Sequence, residues 1–190
     1  HNRHPLIHCI TNYVSINDCA NIVLACGGAP IMAEDINEVS QITSICQGLD
    51  INIGMLNDNK LSSMLKAGAT ANELGIPVIL DPVGAGSSDY RIKAVQNLMS
   101  NVQFGVIRGN VSEIKAIAAK QGIHNIAAGV YETMQKDKSA MGVEAGIADK
   151  ITDDNIKEMA DFINKLSQKT GAVIAVTGGI DMVADENRVY

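Results

Sequence analysis

The sequence contains no tryptophan, and aromatic residues make up 3% of its 190 positions. Aromatic platforms for stacking nucleic-acid bases are therefore not expected. Basic residues are also short. Lys and Arg number 15 against 21 Asp and Glu, a net charge of -6, which leaves no basic footprint for nucleic acid. No apolar run reaches the roughly 18 residues that a membrane helix needs, and the longest candidates are broken by Asn, Asp or Gly. No signal peptide is visible, although the first residue is His1 rather than Met, so residues are expected to be missing before it. The cysteines Cys9, Cys19, Cys26 and Cys46 form no Cys-x-x-Cys pair and sit in apolar neighbourhoods. They read as buried free thiols of a cytoplasmic protein rather than disulfides or metal ligands. Pro5 interrupts His1, His4 and His8, and a strand would scatter them over different faces, so no zinc site is expected. His124 has no partner at ligand spacing and reads as a surface or helix-end residue.

What is present is a core. Hydrophobic residues make up 46% and charged residues 19%, and the length suits one α/β domain. Short apolar, β-branched runs predict strands at Leu6 to Ile10, Pro30 to Ala33, Ile51 to Ile53, Val78 to Leu80, Val106 to Ile107 and Ala172 to Val176. Amphipathic stretches between them predict helices at Ser15 to Ala25, Ile36 to Gln47, Lys60 to Leu74, Arg91 to Ser100, Val111 to Lys120 and Asn155 to Lys169. Asp35 with Glu38, and Asn110 with Glu113, have capping-box spacing, and Gly48, Gly75 and Gly122 stand where helices should end. Met55 and Met64 read as core residues. Residues 122–150 are the least periodic and read as a mobile insertion, and Met182 to Tyr190 reads as a hairpin turning at Asp185-Glu186-Asn187. The alternation implies βαβ units and a mostly parallel sheet, whose ligands gather beyond the carboxyl ends of the strands.

Three loops at those ends carry possible chemistry. Asp81-Pro82-Val83-Gly84-Ala85-Gly86 places a carboxylate before a rigid glycine turn; Asp81 is either a donor to a magnesium phosphate or a helix-capping residue. In Arg108-Gly109-Asn110-Val111-Ser112-Glu113, Arg108 could grip phosphate oxygens and Glu113 could face the same metal. A plain capping box with a solvated Arg is the alternative, and the two are compatible. Thr177-Gly178-Gly179 offers a hydroxyl and unhindered amides for phosphates, or else a simple turn.

Taken in order, Asp-Pro-Val-Gly-Ala-Gly, Arg-Gly-Asn-x-Ser-Glu and Val-Thr-Gly-x-x-Asp resemble the hydroxyethylthiazole kinases. So do His8-Cys9-Ile10-Thr11-Asn12-Tyr13-Val14, Gly28-Ala29-Pro30-Ile31-Met32-Ala33 and Asn52-Ile53-Gly54. The resemblance implies a ribokinase-like three-layer α/β sandwich formed by residues 1–190 as a single domain. It also implies transfer of the ATP γ-phosphate to the hydroxyl of 4-methyl-5-(2-hydroxyethyl)thiazole, with Mg²⁺, in thiamine biosynthesis or salvage. A homotrimer with sites at subunit interfaces is implied as well. On the same basis Asn12 and Met32 match thiazole-site positions, Asp81 and Glu113 the acidic pair near the metal, and Arg108 and Thr177 the ATP contacts.

The sequence departs from the family in two places. Residues 1–190 hold no Gly-x-Gly-Cys or Gly-x-Gly-Asp turn, so no catalytic residue is assigned, the domain is expected to be incomplete at its C-terminus, and these residues alone are expected to have little kinase activity. The family's Lys-Gly-Val-Asp segment is matched only by Met141-Gly142-Val143-Glu144-Ala145-Gly146. The rival readings are another ribokinase-like kinase, acting for example on hydroxymethylpyrimidine, a non-catalytic ligand-binding or assembly module, and a flavodoxin-like nucleotide-binding domain.

Overall fold

A computed structural model describes residues 4–120 and 150–190. The expected insertion falls almost wholly outside them, as do Gly122 and His124. The described residues form two compact units: one of residues up to Asp81 with Asn97–Phe104, the other of Pro82–Gln96 with Gly105–Tyr190.

In the first unit, β1 (Leu6–Ile10), β2 (Ala29–Ile31), β3 (Gly48–Asn52) and β4 (Val78–Asp81) form a parallel sheet in the order β2-β1-β3-β4. Period-2 alternation sends Leu49 and Ile51 of β3, and Val78 and Leu80 of β4, into the core. Asp50 points to the other face, in register with Cys9 and with Ile79, which is 42% exposed. Asp50 is why the sequence reading began this strand three residues late.

Helix α1 (Ile16–Ala25) joins β1 to β2, α2 (Val39–Ile45) joins β2 to β3, and α3 (Asp58–Glu73) joins β3 to β4. Asn57 caps α3 by accepting from Lys60 N at 2.9 Å. The buried residues Lys60, Ser63, Met64, Ala67, Gly68 and Ala71 make one helical stripe. A Cβ on Gly68 would lie 2.5 Å from a methyl of buried Val102, so the packing there requires glycine. The Asp35–Glu38 capping box does not form. Asp35 Oδ1 instead accepts from Asn37 N at 2.8 Å, a local turn, and the helix starts only at Val39. Gly48 opens β3 instead of ending a helix, whereas Gly75 follows α3 with φ +66°. Met64 is buried as expected, but Met55 is 41% exposed. Cys9 and Cys46 are buried free thiols, Cys19 is half-buried and Cys26 is exposed, which corrects the expectation for Cys26.

In the second unit, β5 (Val106–Asn110) pairs in parallel with β6 (Val173–Thr177), and β6 pairs antiparallel with β7 (Met182–Ala184). Helix α4 (Asp89–Asn101), which belongs to this unit only as far as Gln96, precedes β5, α5 (Val111–Lys120) follows it, and α6 (Ile156–Thr170) leads into β6. Met159, Phe162, Ile163 and Leu166 form the buried stripe of α6. The expected hairpin is present. Asp185 Oδ1 accepts from Asn187 N and Arg188 N, and Val183 and Tyr190 exchange two backbone hydrogen bonds.

Candidate active site

In the first unit, parallel register aligns the carboxyl ends of three strands, with Ile10 opposite Ile51 and Asn52 opposite Asp81. The residues that leave these ends are tied by side chains. Asn12 Oδ1 accepts from Ser15 N at 3.0 Å and from Ser15 Oγ at 3.1 Å, so its Nδ2 is turned the other way and donates to Asn52 Oδ1 at 3.2 Å. Asn52 Nδ2 donates in turn to Asp81 Oδ2 at 2.9 Å. Asn12 and Asp81, named separately from sequence, are thus joined through Asn52, to which sequence reading gave no role. Met32 lies outside this chain, one residue past β2 and half-buried.

A second cluster anchors the loops that carry Asn12 and Met32. His8 is buried; its Nε2 donates to Ala33 O at 2.8 Å, and its Nδ1 lies 2.9 Å from Thr43 Oγ1. Burial keeps the imidazole below its ordinary pKa despite the carbonyl and the charge of Glu38, which suits a neutral core histidine. Lys60 is 4% exposed, yet its ammonium donates to Thr11 O, pairs with Glu34 Oε2 at 2.8 Å and lies 4.6 Å from the Tyr13 ring centroid. The Tyr13 hydroxyl donates to Glu34 Oε1. Burial would raise the Glu34 carboxyl, but hydrogen bonds from Lys60 and Tyr13 and the Lys60 charge hold it below the usual range. No pattern along the chain announces this cluster, because Lys60 occupies a first-turn position normally open to solvent.

Asp50 is electrostatically costly where it stands. Burial first, and then the charge of Asp81, push its carboxyl up from 3.8 to about 6. The folded protein keeps a proton that the unfolded chain releases near pH 3.8, so this contribution to stability is full below that pH and lost as pH rises through about 6. Asp50→Asn mimics the protonated form. In metal-free buffer it is expected to leave stability at pH 4 nearly unchanged and to raise it by about 2–3 kcal/mol above pH 7. Urea unfolding at both pH values checks this, and an equal change at both would refute it.

In the second unit, Glu113 organises two loops. Its Oε2 accepts from Asn110 N at 2.8 Å while Asn110 Oδ1 accepts from Glu113 N at 2.9 Å, the reciprocal capping box expected from the spacing. Its Oε1 accepts from Gly84 N at 2.9 Å. Gly84 has φ +66°, a conformation that strains any other L-residue, so a side chain there would disturb the amide aimed at Glu113. Ala85 N and Ser87 N donate to Pro82 O and Gly84 O, each at 2.9 Å, so these amides of the glycine turn, like that of Gly84, already have acceptors within the protein. Arg108 lies within β5, opposite Ala175, rather than in the loop beyond it, and is exposed. Thr177 ends β6 opposite Asn110, and Gly178 N donates to Asp181 Oδ1 at 2.9 Å to close the following turn. Among the described residues, no three His, Cys, Asp or Glu side chains group as a ready-made metal site.

The sequence model of the hydroxyethylthiazole kinase family matches residues 1–190. A hydroxyethylthiazole kinase of Clostridium acetobutylicum is 54% identical over 186 residues, covering 98% of this chain and 62% of that protein. One from Methanobrevibacter smithii is 45% identical over 183 residues, covering 96% of this chain and 60% of that protein. The solved structure of a hydroxyethylthiazole kinase protein from Pyrococcus horikoshii OT3 superposes with a TM-score of 0.78 at 31% identity, covering 98% of this chain and 61% of that one. The chain thus spans about 60% of the length of these relatives. The α/β, mostly parallel, ribokinase-like class expected from sequence agrees with these likenesses, and the chain belongs to the hydroxyethylthiazole kinase family.

Proposed function

We propose that the protein phosphorylates the hydroxyl of 4-methyl-5-(2-hydroxyethyl)thiazole with ATP, in thiamine biosynthesis or salvage. The observation that carries this reading is the hydrogen-bonded chain Asn12–Asn52–Asp81 at the carboxyl edge of β1, β3 and β4, built from three of the motifs that mark the family. Asn12 and Met32 would bind the thiazole, and Arg108 and Thr177 the ATP. Asp81 and Glu113 are each proposed as Mg²⁺ ligands on the strength of the family resemblance. Their carboxylate oxygens that accept one hydrogen bond each keep a second lone pair, so both fit a hard cation. The ion supplies charge neutralisation on the phosphates, while the protein aligns the donor and the alcohol.

The same reading makes the protein a cytoplasmic homotrimer. Helix α1 is apolar yet has no buried residue, and Tyr13, Val14, Ile22 and Leu24 are 55%, 89%, 62% and 56% exposed, as expected of a surface that meets other subunits. No helix among the described residues is long and apolar enough to cross a membrane. The test is ATP-dependent phosphate transfer by the intact protein to the thiazole alcohol and, separately, to hydroxymethylpyrimidine. Transfer to the thiazole with kcat/KM at least a hundredfold higher is expected. An equal or higher value for the pyrimidine would overturn the reading.

A further inference from the structure

Asn52 belongs to the motif Asn52-Ile53-Gly54, which the assignments above leave without a task. It is the last residue of β3, faces Asp81 in register, and is 8% exposed. Its orientation is fixed by logic rather than by choice. Gly54 N can only donate, and it lies 2.8 Å from Asn52 Oδ1, so the oxygen faces Gly54 and the amide nitrogen must face Asp81. Asn12 Nδ2 takes the second lone pair of that oxygen. Asn12 is oriented in the same way, because Ser15 N can only donate to its oxygen.

The hydrogen bonds therefore run in one direction: Ser15 to Asn12, Asn12 to Asn52, Asn52 to the Asp81 carboxylate. Chains aligned in this way polarise one another, and an anionic acceptor at the end strengthens each link. We propose that Asn52 is a positioning residue, which sets the Asn12 amide and the Asp81 carboxylate relative to each other and so couples the alcohol end of the site to the metal–phosphate end. This rests on the function proposed above. It goes beyond burial of a satisfied polar group, because Asn52 holds side chains from two different strand ends, and Asn12 and Asp81 are themselves only half-buried. Misplacement by about 1 Å at such a site costs on the order of a hundredfold in rate.

The test has a spectroscopic arm and a kinetic arm on the intact protein. In the first, the side-chain amide resonances of Asn12 are followed by NMR as Asp81 is replaced by Asn. They are expected to move in the wild-type background and to stay still when Asn52→Leu is also present; movement in both backgrounds, or in neither, overturns the link. In the second, Asn52→Leu is expected to lower kcat/KM for the thiazole alcohol roughly thirty- to a hundredfold while the KM for ATP changes less than about twofold. Combined with Asn12→Ala it should be no worse than the poorer single variant, within about threefold. Should the leucine variant not fold, Asn52→Ser, whose shorter side chain cannot reach both partners, takes its place in both arms. A loss below threefold, a fully multiplicative double variant or an equal rise in the KM for ATP overturns the positioning role. A wild-type protein inactive on the thiazole alcohol defeats the proposed function and this role with it, and the NMR arm then reports whether the physical link nonetheless exists.

Discussion

Glu113→Ala is expected to lower stability and to abolish phosphate transfer, with Glu113→Gln falling between it and the wild type in stability. The reason is the division of labour between the two carboxylate oxygens, one accepting from Gly84 N and the other from Asn110 N. Glutamine keeps the volume but only one acceptor, so its NH₂ group must face one of two N–H groups that cannot accept. Alanine abandons both. An amide left unpaired in a partly buried place costs about 1–3 kcal/mol, which sets the order wild type, Gln, Ala and a gap of a few kcal/mol from end to end. Thermal unfolding followed by circular dichroism reads the order. If glutamine proves as stable as glutamate, the amides are not relying on the charge distribution described here. Activity tests the proposed magnesium role: a carboxylate that only held loops would leave the glutamine variant active in proportion to its folded fraction, whereas a magnesium ligand lost to an amide removes turnover from fully folded protein as well.

The second large effect concerns Gly68 in the middle of α3. Glycine there sacrifices about 1 kcal/mol of helix propensity relative to alanine, so the substitution Gly68→Ala should stabilise an ordinary helix. Here it is expected to destabilise, because its Cβ would stand 2.5 and 2.8 Å from the two methyls of Val102. Overpacking of this kind costs about 1–3 kcal/mol, enough to outweigh the propensity gain. The loss is expected to shrink in a Val102→Ala background, where those methyls are gone and only the Cβ of residue 102, 3.2 Å away, still crowds alanine at 68. A double-mutant cycle by urea unfolding measures this. Gly68→Ala destabilising by the same amount in both backgrounds would place the strain somewhere other than Val102. Gly68→Leu, with a larger side chain against the same Val102, is expected to be worse than alanine in the wild-type background.

Much of the framework was legible in the sequence, and the failures have physical causes. Val111–Lys120 and Leu6–Ile10 were placed to the residue, since a capping pair or a β-branched run marks their limits. Strand β3 was truncated because glycine and aspartate at 48 and 50 break the apolar signal, although only the face bearing Leu49 and Ile51 needs to be apolar. Arg108 was assigned to a loop because charge was taken to end a strand; on an exposed face it does not. The capping pairs make an instructive contrast. Asn110–Glu113 closes because the helix begins directly after Asn110, while the same spacing at Asp35–Glu38 is spent on a turn within the chain before α2. Asn12 and Asp81 could be named as candidates from sequence because their motifs are local. The side chains that connect and support them, Asn52, His8 and Lys60, act across separations of 25 to 49 residues, as in His8 to Ala33 and Lys60 to Thr11, and no local pattern encodes such pairs.

Strand β2 has three residues, pairs among the described residues with β1 alone, and has Pro30 at its centre. Proline brings no N–H, so the outward row of backbone donors is interrupted where a further strand would need it. Uncovered strand margins otherwise template the growth of one sheet into the next, the route to aggregation and fibrils. Here the chain closes that route with a single residue, inside one of the motifs that mark the family. Copies of the protein that meet on this side must therefore recognise one another through side chains, which can specify a fixed number of partners, rather than through a continuing backbone ladder, which cannot.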